Sequence, residues 1–539
     1  MQKLVRSAVF AGYVLGAVSQ LYAQRGSDWM TIGSDGQRSG WVRGDAKISA
    51  ETMEKPGFEL VWKVKLQDGT RQLNSLMPLV LLDFYIGYRG FRSLGFGGGS
   101  SDKVFAIDVD LARIEWEKSL ASNSSSASSL LCPGGMTSSP TRPTFAGYPA
   151  VGGLRGFGRS SPAKSGVGKP FKGAVTLKGG PRELSEPPPT TRPGRRSAPP
   201  RNPYAPASQY LHAVGADGRF HSFYVSNGEE PNSPVQFLPP NANGLGLIVF
   251  DNTAYVATVN GCGEVEDGVW ALNLESKKVT HWKSSSGVAG SAGFAVGPDG
   301  TLYVATGDGE LVALEQGTLT VKSSNKAGTA FASSPVVFEY KDKDLIAVAT
   351  RDGQIELHDT ATMGGPPLAR TPAYSSPDFA AGSLASWQGS AGTRWLLAPA
   401  GGSVAAIAGF TFRNGELKNG AVVAFQVLEE SGAPTLRPVW VSRDMVSPLP
   451  PVIVNGVVFA LSSGEFRSSD PQLTAAQRAQ RSSPAILYAL DASTGKELWN
   501  SGSTITSFVH SGGLAAGGGR VYVGGYDGTQ YAFGFPMEH

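Results

Sequence analysis

The sequence predicts an all-β protein that folds as a single eight-bladed β-propeller of four-stranded antiparallel blades. Three observations lead to this fold class: a high content of turn-forming residues, many short apolar segments, and a hairpin pattern that recurs along the chain. Gly accounts for 70 and Pro for 36 of the 539 residues, whereas charged residues make up only 17%. Short apolar segments bounded by Gly, Asp, Asn and Ser are typical of β-strands joined by tight turns.

The recurring hairpin is clearest in the sequence ILYALDASTGKELW near the C-terminus. Asp491 can accept hydrogen bonds from the backbone ahead of it, and Gly495 can adopt the positive φ that such a turn needs, so the chain reverses there. The returning strand ends at Trp499. Equivalent tryptophans end other copies of the pattern: Trp116, Trp282 and Trp440. We predict that these four tryptophans dock each blade against its neighbour, because a large aromatic at one fixed position can fill the space between two sheets.

A second hairpin precedes each of these, and together the two hairpins make a four-stranded unit. Asp-Gly joins two strands in TLYVATGDGELVAL, LIAVATRDGQIEL and RVYVGGYDGTQYAF, and this dipeptide is a strong hairpin signal. Eight units begin near Asn74, Cys132, Asn241, Ala289, Phe331, Ser383, Val446 and His510. The last has three strands, and we expect residues 58–66 (FELVWKVKL) to complete it, which would close the ring with strands from both chain ends.

Two stretches carry a resemblance to a known family. ALDASTGKELW resembles the repeat of the pyrroloquinoline-quinone (PQQ) dehydrogenase-like eight-bladed propellers, and DWMTIGSDGQRSGW is similar to the leading segment of those quinoproteins. The resemblance covers most of residues 28–535. For an enzyme of this family it implies PQQ and calcium as cofactors and an Asp as general base. The sequence contains neither the adjacent Cys-Cys pair of that family nor a C-x-x-C-H haem motif, and no motif places its metal ligands or base.

Two functions therefore follow from the sequence. The first is an exported binding or assembly module that acts through its blade loops and central channel. The alternative is a PQQ- and calcium-dependent oxidoreductase acting on an alcohol or sugar. The fold hosts both enzymes and binding scaffolds. A net charge of +3 does not favour a nucleic-acid partner, and the protein or small-molecule ligand is not specified by any motif.

The N-terminus has the pattern of a signal peptide. Lys3 and Arg6 precede the apolar run SAVFAGYVLGAV, and Ala23 is a small residue suited to the cleavage site. We predict a signal peptide over residues 1–23, a propeller over 24–539, and a periplasmic or secreted protein; the alternative is a buried N-terminal helix. No later segment approaches the roughly 20 apolar residues of a membrane span.

Residues 152–206 interrupt the second blade with a different composition. This basic insert contains 11 of the 36 prolines, and its 11 Lys or Arg residues and two Glu residues give a local net charge of +9. It has no core-forming pattern and is predicted to be disordered. It could adhere to an anionic envelope surface; the alternative is a solvated insertion without a specific task.

The remaining candidate residues lie in predicted loops. Cys132 and Cys262 are an even pair in neighbouring blades, which favours a disulfide in an exported protein; two separate thiols are the alternative. The sequence NGCGEVEDG offers calcium-binding oxygens on Asn260, Glu264 and Asp267, but it also suits an ordinary connecting loop. His510 begins an inner strand and could face the central channel and a cofactor there, or serve as a structural histidine.

Overall fold

Eight small antiparallel sheets arranged as an eight-bladed β-propeller make up the described part of the chain, as the sequence predicts. The structure is a computed structural model. It describes residues 28–536 except 88–89, 121–128, 150–208, 327, 469, 471 and 511–512. The predicted signal peptide and the basic insert therefore lie outside the described residues.

The first four blades follow one another along the chain. Blade 1 contains Val80–Gly87, Gly90–Gly99, Lys103–Asp108 and Arg113–Ser119. Blade 2 contains Tyr210–Val214, Arg219–Tyr224 and Val235–Gln236. Blade 3 contains Gly244–Phe250, Thr253–Thr258, Gly268–Asn273 and Val279–Lys283, with Pro143–Thr144 parallel to its first strand. Blade 4 contains Phe294–Val296, Leu302–Ala305, Glu310–Leu314 and Val321–Lys326.

The remaining blades are built in the same way. Blade 5 contains Val336–Tyr340, Lys343–Ala349, Ile355–Asp359 and Ala369–Arg370. Blade 6 contains Ala385–Gln388, Arg394–Gly401, Gly420–Glu430 and Ala433–Val441, with Phe412–Arg413 at its outer edge. Blade 7 contains Val452–Val454, Val457–Ser462, Ile486–Asp491 and Glu497–Asn500, with Trp41–Val42 at its inner edge. Blade 8 contains Leu514–Gly517, Arg520–Gly524, Thr529–Gly534 and Glu59–Lys65.

Short elements connect or flank these sheets. Ser333–Ser334 and Gly382–Ser383 form a parallel pair between blades 5 and 6. The helices are Ala50–Met53 and Ala475–Arg481, and single 3₁₀ turns occur at Cys262–Glu264, Thr360–Thr362 and Val404–Ala406. No helix within the described ranges is long and apolar enough to cross a membrane.

The ring is closed by strands from both chain ends, which confirms the predicted role of residues 58–66. Glu59–Lys65 pairs antiparallel with Thr529–Gly534 and forms the outermost strand of blade 8. Phe58 adds an aromatic contact at this closure, since its ring centroid lies 4.9 Å from that of Trp499 in blade 7. The closure therefore joins blade 8 to blade 7 as well as the start of the chain to its end.

The apolar core is divided into layers between neighbouring blades. Successive residues of a strand point to opposite faces of its sheet. Val336 of blade 5 accordingly packs in the layer shared with blade 6, and the next residue, Val337, packs in the layer shared with blade 4. Both faces of each inner strand are covered, which explains why those strands are apolar throughout.

Residues 28–48, here called the central segment, contact seven of the eight blades and the connection into blade 2. The segment accepts main-chain N–H bonds from six blades and from that connection, donated by Leu81, Val296, Val337, Ser386, Ile453 and Gly519 of the blades and by Arg142 of the connection. Blade 3 accepts hydrogen bonds from the segment: the side chain of Thr31 donates to the carbonyl of Leu247, and that of Arg38 donates to the carbonyl of Gly246. A segment with partners in blades 1 and 3–8 and in the connection into blade 2 runs through the centre of the ring.

The blades present two different faces. Because the strands alternate in direction, the turns between first and second strands lie on one side, here called the turn face. The turns between second and third strands and the connections between blades lie on the other side, here called the loop face. The central segment reaches the turn face near Asp45, where its carboxylate accepts the Gly519 N–H at 2.7 Å.

Candidate functional site

A disulfide joins Cys132 and Cys262 on the loop face, so the predicted bridge is present in the structure. Cys132 lies in the connection between blades 1 and 2, and Cys262 lies in the turn between the second and third strands of blade 3. The carbonyl of Leu131 accepts hydrogen bonds from the side-chain amides of Asn243 and Asn260, each at 3.1 Å. The bridge and these bonds fix the loop of residues 259–267 against the connection into blade 2.

The candidate metal ligands of this loop, Asn260, Glu264 and Asp267, differ in their surroundings. Asp267 closes its own loop, because its carboxylate accepts the backbone N–H groups of Asn260 at 3.0 Å and Gly261 at 2.8 Å. Glu264 is exposed to solvent. Across the described ranges, no three His, Cys, Asp or Glu side chains stand close enough together to hold a metal ion. The Asp267 carboxylate therefore serves the conformation of its own loop.

His510 takes part in a charged cluster on the loop face. Its Nδ1 lies 2.9 Å from Oε1 of Glu465, and Nε of Arg467 lies 3.3 Å from the other carboxylate oxygen. Glu465 is 2% exposed, whereas His510 and Arg467 are each about 30% exposed. Burial opposes ionisation of Glu465, but the hydrogen bond and charge of His510 and the charge of Arg467 outweigh it, so the pKa of Glu465 is lowered.

The loop that carries Glu465 is the long connection of residues 463–485 in blade 7. Its helix Ala475–Arg481 begins at a capping box, in which Thr474 and Gln477 bond reciprocally to each other's backbone N–H groups. The Glu465 cluster anchors the start of this loop to the connection leading into blade 8. His510 is partly exposed, and its contact with the buried carboxylate fixes the orientation of the ring.

The tryptophans of blades 1 and 6 contact the outer hairpin of the following blade. The indole N–H of Trp116 donates to the carbonyl of Val225 at 3.0 Å, and that of Trp440 donates to the carbonyl of Ala492 at 2.9 Å. Trp440 is fully buried. At Gly495 the backbone has φ +70°, and a Cβ atom there would lie 2.4 Å from the Trp440 ring. Glycine is therefore favoured at this turn for two reasons: the backbone has a positive φ, and the indole leaves no room for a side chain.

The other two predicted docking residues are half-buried. Trp499 makes edge contacts with Phe58 and with Phe533, whose ring centroid is 5.6 Å away, both in or beside blade 8. Trp282 packs against the apolar layer between blades 3 and 4. A fifth tryptophan, Trp62, was missed: its indole N–H donates to Val109 of blade 1 at 2.8 Å. Its strand stands apart from the rest of blade 8 in the sequence, so the hairpin pattern could not identify it.

Comparisons with known proteins confirm the resemblance to the PQQ-like propellers. The family described as outer membrane protein assembly factor BamB matches residues 266–483. No curated protein matches the sequence closely enough to count as a relative.

Similar folds occur among solved structures. Quinohemoprotein alcohol dehydrogenase from Comamonas testosteroni superposes with a TM-score of 0.55 at 13% identity, over 96% of this chain and 82% of the other. The computationally designed Ika8 protein superposes with a TM-score of 0.51 at 11% identity, over 89% of this chain and 100% of the other. BamB from Moraxella catarrhalis superposes with a TM-score of 0.45 at 12% identity, over 89% of this chain and 99% of the other, and that score is too low to support an inference. At these identities the likeness concerns the fold alone.

Proposed function

We propose that this protein is an exported PQQ-like β-propeller that binds or assembles with a partner through the loops of its loop face. The observation that carries the proposal is that the central segment runs through the middle of the ring and bonds to seven blades and to the connection into blade 2. The irregular loops of the loop face are then the surface left for recognition. Loops held on a rigid scaffold commonly carry binding functions.

Two of these loops are fixed in place. The disulfide holds the loop of residues 259–267, and the Glu465 cluster holds the start of residues 463–485. A fixed loop loses less conformational entropy when it binds, which favours affinity. The disulfide also supports export, since stable disulfides are typical of oxidising compartments.

The experiment that tests this proposal is site-specific photocrosslinking of the full-length chain in its own host. We would place the photoreactive residue at Glu264 or Gln472 on the loop face, and at Ala391 on the turn face as the matched control; all three positions are exposed. The proposal expects one discrete adduct from both loop-face positions in the envelope fraction and none from Ala391. Equal labelling from all three positions, or a cytoplasmic location of the protein, would contradict it.

The rival function is a PQQ- and calcium-dependent dehydrogenase acting on an alcohol or sugar, as the resemblance to quinoproteins implies. Calcium beside the quinone needs several oxygen ligands converging on one point. Among the described residues no three His, Cys, Asp or Glu side chains stand close enough together to hold a metal ion, and the Asp267 carboxylate bonds to its own loop, so neither observation supports a calcium site here. We therefore derive no catalytic step for this chain.

The basic insert would give the protein a second kind of attachment, to anionic surfaces of the cell envelope. With 11 Lys or Arg residues against two Glu residues, residues 152–206 would attract anionic envelope polymers or lipid headgroups. Such attraction is screened by salt. Deleting the insert should therefore abolish a salt-sensitive adsorption of the protein to anionic vesicles and leave binding through the loop face unchanged.

A further inference from the structure

A pocket of about 180 Å³ opens on the turn face where the central segment meets blades 5 and 6. Its lining includes Trp41 and Arg43 of the central segment, Phe338 and Glu339 of blade 5, and Gln388 and Arg394 of blade 6. We propose that this pocket binds the carboxylate of a small monoanionic ligand, held by Arg394. The inference concerns the face opposite to the proposed partner-binding loops and does not depend on them.

Arg394 is the reason for this proposal. The residue is 6% exposed, and its Nε is buried without a hydrogen-bond partner. No ion pair or hydrogen bond to another described residue holds its guanidinium. Burial of a charged group without a counter-ion is unfavourable. A bound anion would supply the missing partner.

Other arginines with buried side chains are compensated. Arg43 pairs with Asp35 at 3.1 Å, and Arg520 pairs with Asp110 at 2.8 Å. Arg38 donates to the carbonyls of Ile32, Gly246 and Phe294. An unbonded, buried Nε also occurs in Arg43 and Arg520, but Arg394 differs from all three because its guanidinium has no ion pair and no hydrogen bond to a described residue.

The guanidinium of Arg394 is also held in a defined place. Its central carbon lies 5.8 Å from the centroid of the Trp41 ring and 5.7 Å from that of Phe338. Contacts of this kind between a cation and aromatic faces are attractive. Burial, followed by the charge of Arg43, lowers the pKa of Arg394 to about 10, so the group remains cationic at neutral pH.

The charges in the lining favour a single negative charge on the ligand. Asp35 pairs with Arg43, so Arg394 is the arginine of the lining without an ion pair, and the carboxylate of Glu339 acts on it only electrostatically. Glu339 is exposed at the rim and would repel a phosphate dianion. Trp41 and Phe338 offer apolar surface to the body of the ligand. The volume corresponds to about six water molecules at ~30 Å³ each, which suits an aromatic or short aliphatic carboxylate.

The test is isothermal titration of the full-length protein with benzoate, with neutral benzamide and with inorganic phosphate. Benzoate should bind the wild-type protein, and Arg394→Gln should weaken its binding by about tenfold or more, the usual effect of losing a charged hydrogen-bond donor. Benzamide and phosphate should bind the wild-type protein no better than they bind Arg394→Gln.

Two further variants keep the result interpretable. Arg443→Gln is the matched control, because Arg443 also lies over an aromatic ring, that of Tyr488 at 5.0 Å, but is paired with Glu497; its benzoate affinity should equal that of the wild type. Arg394→Lys keeps the charge and loses the planar fork, so it should bind benzoate with intermediate affinity. If Arg394→Gln does not fold, Arg394→Lys takes its place in the test. Unchanged benzoate affinity in the Arg394 variants, or phosphate binding tighter than benzoate, would overturn the proposal.

Discussion

The joint between blades 6 and 7 and the joint between blades 2 and 3 are held in different ways. At the first, the fully buried Trp440 packs on Gly495 and donates to the carbonyl of Ala492. At the second, the outermost described strand of blade 2, Val235–Gln236, carries no tryptophan. A disulfide from the connection into blade 2 instead reaches across to blade 3.

This difference follows from the local sequence of each blade. Blade 6 ends in a complete hairpin, whose last strand carries the aromatic that reaches the next blade. Blade 2 lacks that strand pattern, and its chain also carries the basic insert of residues 152–206. The covalent bond holds together a joint for which the repeat pattern provides no docking residue. The four predictions below test the comparison, from the largest expected effect to the smallest.

Replacing the buried tryptophan should weaken the joint between blades 6 and 7 most strongly. We expect Trp440→Ala to lower the free energy of unfolding by about 3–5 kcal/mol, because it removes a fully buried aromatic and leaves a cavity. Chemical denaturation monitored by circular dichroism would measure the loss. Phe412→Ala, at a 46% exposed position of the same blade, is the control and should cost far less. A loss below about 1 kcal/mol for Trp440→Ala would show that the ring does not hold the joint.

Removing the disulfide should weaken the joint between blades 2 and 3. The bond spans 130 residues, for which the loss of chain entropy sets a ceiling of about 5 kcal/mol. We expect the double variant Cys132→Ser and Cys262→Ser to lose about 2–4 kcal/mol. The same loss should follow when the wild type is reduced, and reductant should leave the double variant unaffected. If both thiols of the folded, unreduced wild type react with an alkylating reagent, the bond is not formed.

The turn glycine of blade 7 offers a finer test of the tryptophan contact. Gly495→Ala introduces a Cβ 2.4 Å from the Trp440 ring at a backbone φ of +70°, and it should cost about 2–3 kcal/mol. Gly432→Ala has a similar φ, +82°, with no atom near the added Cβ, so it should cost about 1 kcal/mol. Thermal unfolding of the two variants gives the comparison. Equal destabilisation would mean that the indole yields freely and that only the backbone conformation matters.

The smallest expected effect concerns the Glu465 cluster and depends on pH. The pKa of Glu465 is lower in the folded protein than in the unfolded chain, where it is about 4.3. Its ionised form therefore stabilises the fold above that value, and the contribution disappears as the pH falls through the lower, folded-state pKa. Glu465→Gln should be less stable than the wild type at pH 7, and the difference should shrink at acidic pH. Parallel stability curves from pH 7 to 3 would show that the contacts of Glu465 with His510 and Arg467 do not contribute.

The propeller could be predicted from the sequence because its defining signals are local. Asp491, Gly495 and Trp499 lie within nine residues of one another, and each has a role in the same hairpin. The ring closure was predictable for a related reason, since residues 58–66 form a strand without a partner nearby and the last unit lacks a strand. The disulfide followed from there being two cysteines in the chain.

The contacts that define the two faces could not be predicted, because they join residues far apart in the sequence. His510 and Glu465 are 45 positions apart, and nothing in the irregular sequence around Glu465 indicates its role. The central segment is held largely by main-chain hydrogen bonds, which leave no side-chain signature. Arg394 approaches Trp41 only after the central segment has crossed the ring.

The proposal that this propeller acts as a binding module, with a PQQ- and calcium-dependent dehydrogenase as the rival function, is tested most directly by reconstitution with PQQ and calcium. The purified full-length protein would be incubated with both, then examined for a bound-quinone absorbance and for dye reduction with a panel of alcohols and sugars. We predict that no quinone remains bound after gel filtration and that no substrate reduces the dye above the level without protein. Retained quinone together with substrate-dependent dye reduction would contradict this account and establish the rival function.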